Sequence, residues 1–351
     1  MIDAEERMEE LLVISKLVRM SVFGTSEDIP AGVDWPKVFA DAGVNGVSAL
    51  CYEAVKTLPQ DKQPDFGLML QWDLSSQGIC EGFRHRIAVT RKLGEMLGSN
   101  GIVMLLLKGV ILAENYPDPE LRESGDVDFV ALDADDRSSA FDKCNALAGS
   151  LGTEITCERK HSSFDYCGVH FENHTLEPMD GYNRVHHNTL ALIRESLPNA
   201  GMRPDGCLAP DPLTQAVYAV KHTAQHVCYS GGRINLKMLL DLALLLNAHP
   251  EVADEWEPVL RRVGLHSFAR TMLRATDLLL GTGFSSDRSS RTRRRAERFI
   301  RLFLTDSNPV IRYFAKLSYL PLRPSEVLRM WYEKAASTIM ADALPGGLSR
   351  K

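Results

Sequence analysis

The sequence has no Cys-x-x-Cys pair and no apolar run long enough for a membrane-spanning helix. Its seven cysteines form an odd, scattered set, which favours reduced structural thiols over a disulfide framework. The apolar run "IVMLLL" ends at Lys108, far short of the ~20 residues that a span needs. The first residues, "MIDAEERMEELL", are acidic where an export signal is basic. We therefore expect a cytoplasmic protein with no membrane segment.

The sequence also lacks the excess of basic residues that a whole-surface nucleic-acid binder carries. The 40 Lys and Arg residues stand against 46 Asp and Glu residues, so the net charge is −6. A local basic patch remains compatible with this balance. One candidate, "RSSRTRRRAERFIR", has seven arginines between Arg288 and Arg301. Such a run is more often the solvent-exposed start of a helix than a binding site for RNA or another polyanion, and the sequence does not decide between the two.

Hydrophobic periodicity divides the 351 residues into three regions. Residues 1–100 form an N-terminal helical region, residues 101–205 an α/β core, and residues 206–351 a C-terminal helical region. The predicted fold class is α/β (α+β), a small mixed sheet flanked by helices on both sides in sequence. The predicted helices lie at 4–23, 35–57, 71–99, 110–115, 141–151, 213–229, 235–248, 254–263, 266–281, 293–305 and 324–342. The predicted strands lie at 102–108, at 125–132, near 154–159 and within "FDYCGVHFENHTL".

Two acids interrupt an otherwise apolar strand in "LLLKGVILAENYPDPELRESGDVDFVAL", residues 105–132. Residues two apart on a strand share a face, so Asp126 and Asp128 lie side by side. Neighbouring carboxylates raise each other's pKa unless a cation lies between them. Oxygen-rich sites of this kind select Mg²⁺ or Mn²⁺. The alternative is an edge strand with two solvated acids.

The turn upstream of these acids can bind a phosphate. Gly109 begins a short helix whose free backbone N–H groups suit an anion. Lys108 would add a positive charge to the same group.

The same stretch resembles an uncharacterised nucleotidyltransferase family, family 5, within the polymerase-β-like nucleotidyltransferase superfamily. The matching positions are Lys108-Gly109, Tyr116-Pro117, Arg122 and Asp126-Val127-Asp128. The resemblance covers roughly residues 100–250 and includes "AVYAVKHTAQHVCYSGGRINLKMLLDLALLL". The superfamily's turn reads Gly-Ser, whereas this chain has Val110 after the glycine, so any contact of that serine is missing.

The resemblance implies a third acid on a neighbouring strand. Glu172 is the best match, because His174 follows it by two residues on the same face, while Asp165 and Glu177 compete for the position. Together with Asp126 and Asp128, this third acid would hold the metal ions, and it could act as the base. Lys108, Gly109 and Arg122 are the candidates for the nucleotide phosphates. Arg122 could instead pair structurally with a carboxylate.

The same resemblance suggests His174, His222, Arg233 and Lys237 for a second wall of the nucleotide cleft. His222 and His226 also have the i, i+4 spacing that can bind zinc. Thr223 stands where a zinc-protease helix has glutamate, so a cleft wall is favoured and a packed helix is the alternative. His161, His186 and His187 are expected to be exposed loop histidines.

The resemblance implies a two-metal transfer of a nucleoside monophosphate from an NTP, with ATP expected, to an acceptor hydroxyl. The cofactor would be Mg²⁺ (or Mn²⁺). The acceptor can be a small molecule, a protein or an RNA end, and the oligomeric state is not indicated. One alternative is a catalytically inactive nucleotide-binding or antitoxin-like interaction protein on the same fold. Another is an enzyme that moves a different phosphoryl group.

Overall fold

The computed structural model describes residues 4–158, 161–177, 184–229, 233–305 and 312, and the predicted helix at 324–342 lies outside them. The α-helices in the described part are α1 Ala4–Phe23, α2 Trp35–Val44, α3 Ser48–Val55, α4 Phe66–Gly98, α5 Val110–Ala113, α6 Phe141–Ser150, α7 Arg184–Ser196, α8 Pro212–Tyr229, α9 Leu236–Ala248, α10 Glu251–Val263, α11 His266–Leu280 and α12 Ser290–Ile300. The strands are β1 Ile102–Leu106, β2 Val127–Asp133, β3 Thr156–Cys157, β4 His161–Tyr166, β5 Val169–His174, β6 Gly201–Met202 and β7 Leu208–Ala209.

The N-terminal helices begin at side-chain caps. The Asp34 carboxylate accepts the backbone N–H of Lys37 at the start of α2. Asp65 caps α4, which runs for 33 residues. The single helix predicted at 35–57 is two helices, because the chain turns at Gly46, where φ is 68°.

The strands form one mixed sheet in the order β3-β4-β5-β2-β1-β7-β6. β1 and β2 are antiparallel, and β2 pairs with β5 in parallel. The segment "FDYCGVHFENHTL", predicted as one strand, contains most of a β4–β5 hairpin. Its turn falls at Cys167 and Gly168, where φ is 49° and 77°. Positive φ at both central residues makes a tight turn of this kind.

The two faces of the sheet pack against different parts of the chain. Phe129 packs edge-on against Phe164 and Phe171 in the main hydrophobic cluster, which includes residues from all three predicted regions. The opposite face carries Asp128 and Val130 and is covered by α7 and α8. The division at residues 100 and 205 stays a prediction. None of the described helices has both the length and the apolar character that crossing a membrane requires.

Candidate active site

The acid pair lies where β2 begins, next to the turn that follows β1. Because β1 and β2 are antiparallel, with Leu106 opposite Phe129, the end of β1 meets the start of β2. Lys108 follows β1, and its Nζ lies 2.9 Å from Oδ2 of Asp128 and 3.6 Å from Oδ2 of Asp126. The two aspartates therefore share one cation. Lys108 supplies the positive partner that burial of the Asp128 carboxylate requires.

Glu172 joins this pair from the neighbouring strand. β2 and β5 are in register with Asp128 opposite Glu172. One carboxylate oxygen from each of Asp126, Asp128 and Glu172 lies within 4.8 Å of the other two. The two competing acids, Asp165 and Glu177, are exposed and lie outside this cluster. Of the three candidates for the third acid, only Glu172 is brought to the pair.

His174 bridges two of the acids. Its Nε2 lies 2.9 Å from Oδ1 of Asp128 and 3.3 Å from Oε2 of Glu172. Burial lowers the pKa of His174, but the hydrogen bonds to Asp128 and Glu172 outweigh burial and raise this pKa above its ordinary value. A protonated His174 can donate Nε2–H to either carboxylate.

The charges of the cluster depend on one another. Burial alone would raise the pKa of Asp128, yet the Lys108 ammonium and the hydrogen bond from His174 hold it well below its usual range. The pKa of Glu172 is also lowered, chiefly by the hydrogen bond from His174. Burial lowers the pKa of Lys108, but Asp128 and Asp126 outweigh burial and raise it. The cluster therefore holds Asp128 and Glu172 as carboxylates at neutral pH.

The turn between β1 and α5 depends on Gly109. Its φ is 65° and its ψ is −96°, a conformation that residues with a Cβ rarely adopt. A Cβ at this position would lie 3.6 Å from the backbone oxygen of Asp126, so the turn passes close beside the acids. The helix that follows, α5, has only four residues.

A cavity of about 210 Å³ lies between the acids and the two covering helices. Lys108, Asp126, Asp128, Glu172 and His174 line its sheet side. The side chains that line it from α7 and α8 are His186, Leu190, Ile193, Tyr218, Lys221, His222, Gln225 and His226. The acids therefore open into a cleft whose opposite wall is largely polar.

His222 stands on this opposite wall, where the resemblance suggests it. Burial, Lys108 and His226 together lower the pKa of His222 well below its ordinary value, so its ring is neutral. The rings of His222 and His226 pack edge-to-face with centroids 4.6 Å apart. Among the described residues this pair belongs to no group of three metal ligands, so the structure does not support a zinc site there.

Sequence reasoning missed Lys221 and Tyr218 on the same wall. Nζ of Lys221 lies 5.1 Å from the centre of the Tyr218 ring and donates to Oε1 of Gln225 at 2.9 Å. Positions 218, 221, 222, 225 and 226 follow the i, i+3, i+4 spacing of one helix face. This polar stripe in "YAVKHTAQH" is the signal that could have revealed them.

Arg122 does not line the cleft. It is 5% exposed, and its Nε and one terminal nitrogen each donate to an Asp241 oxygen at 2.8 Å. The Tyr116 hydroxyl donates to the same carboxylate at 2.7 Å. The guanidinium is therefore committed to a buried, two-pronged ion pair, which is the structural role rather than the phosphate-binding role.

Arg233 and Lys237 also lie outside the lining of the cleft. Nζ of Lys237 donates to the backbone oxygen of Glu123 at 2.8 Å, and burial together with Arg122 lowers the pKa of Lys237 to about 8. Arg233 is half-buried, and burial lowers its pKa. Of the four residues suggested for the second wall, the cleft contains His174 and His222, and His174 belongs to the acid side.

The expectation that three histidines are exposed in loops was wrong. His186 and His187 are half-buried on α7, and His161 is a buried residue of β4. His161 lies opposite His174 in the β4–β5 ladder, with ring centroids 5.2 Å apart. Its Nε2 is 3.8 Å from Oε1 of Glu172. The β4–β5 hairpin brings His161 to the acids, and the sequence prediction missed this hairpin because it treated "FDYCGVHFENHTL" as one strand.

The donor set suits a divalent cation. Asp126, Asp128 and Glu172 offer only oxygen ligands, which hard cations such as Mg²⁺ and Mn²⁺ prefer. The almost fully buried Asp128 is already stabilised as an anion by neighbouring positive charge. These three residues therefore fit the ions that the sequence resemblance implies.

Comparison with known proteins adds the family. A family model described as an uncharacterised nucleotidyltransferase matches residues 31–281, which is more than half of the chain. The match confirms the sequence resemblance and extends beyond its limits at both ends. No curated protein and no solved structure matches the chain.

Proposed function

The chain belongs to the uncharacterised nucleotidyltransferase family, and we propose that it transfers a nucleoside monophosphate from an NTP to an acceptor hydroxyl with the help of Mg²⁺ or Mn²⁺. The observation that carries this proposal is the register of β2 and β5. It sets Asp128 opposite Glu172 and, with Asp126, gathers three carboxylates at one cleft. ATP is the NTP that we expect.

Asp126, Asp128 and Glu172 would hold the divalent cations. Such ions neutralise the charge of a triphosphate and favour displacement at its α-phosphorus. The acceptor oxygen forms a bond to the α-phosphorus, the bond to the bridging oxygen breaks, and pyrophosphate leaves. Glu172, which is half-buried beside the two aspartates, is the residue that we assign to receive the proton of the acceptor hydroxyl.

The positive side chains of the cleft would bind the triphosphate. Lys108 now pairs with the aspartates. When a divalent cation neutralises the aspartates instead, the flexible side chain of Lys108 can direct its ammonium group to a phosphate. Lys221 lines the same cavity from α8. Gly109 follows Lys108 in a turn that passes close to the backbone of Asp126, and its N–H group is the backbone donor that we propose. Arg122 is left out of this set because Asp241 holds it.

A second candidate is a catalytically inactive interaction protein on the same fold. Two observations favour it: Lys108 and His174 contact both carboxylate oxygens of Asp128, and Val110 follows the turn glycine where the superfamily has serine. Retention of all three acids in one cluster favours the enzyme instead.

The test follows label from the α-phosphate of each NTP into cell extract or candidate acceptors, with Mg²⁺ or Mn²⁺. The wild type is compared with Asp126→Asn, whose side chain is the most exposed of the three acids. Asp165→Asn serves as a control, because this exposed acid lies outside the cluster. We expect label transfer by the wild type and by Asp165→Asn, and background transfer by Asp126→Asn. Transfer that survives in Asp126→Asn and also in Asp128→Asn would refute the proposal. Thermal stabilisation by NTP and Mg²⁺ without transfer would favour the interaction protein.

A further inference from the structure

We infer that His161, Glu172 and His174 form a binding site for a transition-series divalent cation, next to the site made only of carboxylates. One ligand atom from each of the three residues lies within 4.8 Å of the other two. Nε2 of His174 is 3.3 Å from Oε2 of Glu172, and Nε2 of His161 is 3.8 Å from Oε1 of the same carboxylate. Two imidazole rings thus converge on one carboxylate.

The β4–β5 hairpin fixes this arrangement. His161 is paired directly with His174, and Glu172 lies two residues before His174 on the same face of β5. The side chains of His161, His174 and Glu172 are 7%, 14% and 22% exposed, so the group is sheltered on the sheet. Adjacent strands hold such cross-strand side chains at short, defined distances. The three ligands therefore need little reorganisation to meet one ion.

The spacing agrees with direct coordination. Around a tetrahedral ion with ligands at about 2.1 Å, neighbouring ligand atoms lie about 3.4 Å apart. The contact of His174 with Oε2 of Glu172, at 3.3 Å, already has about this length. His161 contacts the other oxygen, Oε1, at 3.8 Å, so coordination through a single oxygen requires the Glu172 carboxylate to rotate. The ligand atoms of the two histidines lie within 4.8 Å of each other, so they must approach by at most ~1.4 Å to reach this spacing. Side-chain rotation about χ angles covers such a shift.

The ligand types determine which ions fit. Imidazole nitrogens favour Co²⁺, Zn²⁺ and Fe²⁺, and a site of two histidines and one carboxylate is a known type for transition metals. Mg²⁺ prefers oxygen ligands and keeps its waters. An ion that binds Nε2 of His174 replaces the proton there, which leaves to solvent. Glu172, with one oxygen toward His161 and the other toward His174, also belongs to the carboxylate cluster. It would therefore link the two positions.

A role of this ion in nucleotidyl transfer rests on the proposed function, whereas binding of the ion to the three residues does not depend on that function. Binding is therefore measured on the full chain without nucleotide or acceptor. Co²⁺ is titrated while visible absorption is recorded, because this ion accepts imidazole ligands. His161→Asn removes one ligand. His170→Asn is the matched control, because His170 is an exposed histidine of the same hairpin that pairs with Asp165.

We expect Co²⁺ absorption bands in the wild type and in His170→Asn. In His161→Asn we expect at least about tenfold weaker Co²⁺ binding, as for loss of groups that support a metal. His161→Gln, which changes the side chain less in length, should lose Co²⁺ affinity in the same way. It replaces His161→Asn in the comparison if circular dichroism shows that the asparagine variant is poorly folded. Unchanged Co²⁺ affinity in the folded His161 variants would overturn this inference and leave the proposed function intact. Co²⁺ binding that depends on His161, without any label transfer, would support this inference and count against the proposed function.

Discussion

The buried pair of Arg122 and Asp241 gives the clearest prediction about stability. Both side chains are almost fully inaccessible, at 6% and 7% exposure, and the guanidinium meets the carboxylate through two contacts of 2.8 Å. Asp241→Asn keeps the shape of the side chain but leaves the arginine charge buried without an anion. Removing one partner of a buried ion pair costs about 3–5 kcal/mol, because the remaining charge keeps its desolvation penalty. The hydroxyl of Tyr116 also loses a charged acceptor.

Denaturant unfolding measures this cost as a shift of the midpoint at constant slope. The double variant Arg122→Met/Asp241→Leu removes both charges and should recover most of the loss, because apolar replacement of a buried pair is often neutral. Glu120→Gln is the control: its partner Arg84 is largely exposed, and solvent screens that pair, so the midpoint should hardly move. A loss of less than about 1 kcal/mol in Asp241→Asn would refute the structural assignment of Arg122 and reopen its role in phosphate binding.

Two further predictions concern Lys237 and Gly109. The pKa of Lys237 is lowered to about 8 in the folded chain, whereas the pKa of lysine in the unfolded chain is near 10.4. Protonation of Lys237 therefore destabilises the folded chain fully below pH 8, and this cost is relieved as the pH rises from 8 toward 10.4. Relative to Lys237→Met, the free energy of unfolding of the wild type should therefore rise by about 2 kcal/mol between pH 8 and 10, as followed by urea unfolding across that range; parallel curves would contradict the lowered pKa. In Gly109→Ala the new Cβ lies at an ordinary contact distance, 3.6 Å, from the backbone oxygen of Asp126, but the residue is forced into a positive-φ conformation, so the substitution should cost about 1–3 kcal/mol by the same measurement. No measurable cost would show that the turn adopts another conformation.

The strongly periodic parts of the fold could be predicted from the sequence. α1 has the predicted bounds, and α9 and α11 each differ from theirs by one residue. The β4–β5 hairpin was missed because its alternation continues through Cys167 and Gly168, and a cysteine gives no strong turn signal. α7 was missed because "RVHHNTL" reads as a polar loop, although its apolar residues Leu190 and Ile193 pack on the sheet. Local pattern therefore predicts elements better than the places where they turn.

The acid side of the site could be predicted, and most of the opposite wall could not. Strand periodicity places Asp126 beside Asp128, so their proximity follows from local geometry alone. The partners of these acids come from remote parts of the chain: His161 reaches Glu172 through a hairpin, and Lys221 through a helix packed over the sheet. Arg122 shows the opposite case, since a residue that the family resemblance suggests for phosphate is held by Asp241, 119 residues away.

The most direct test of the account is calorimetric binding of a nonhydrolysable NTP analogue, with and without Mg²⁺ or Mn²⁺. The variants are Asp126→Asn/Asp128→Asn and, as control, Asp165→Asn, each first shown to be folded. We predict that the wild type and the control bind the analogue only when the cation is present, and that the double variant binds it at least about tenfold more weakly. If the analogue binds equally well with and without the cation, or if the double variant binds it as tightly as the wild type, the claim that these carboxylates bring a metal ion to a nucleotide is contradicted.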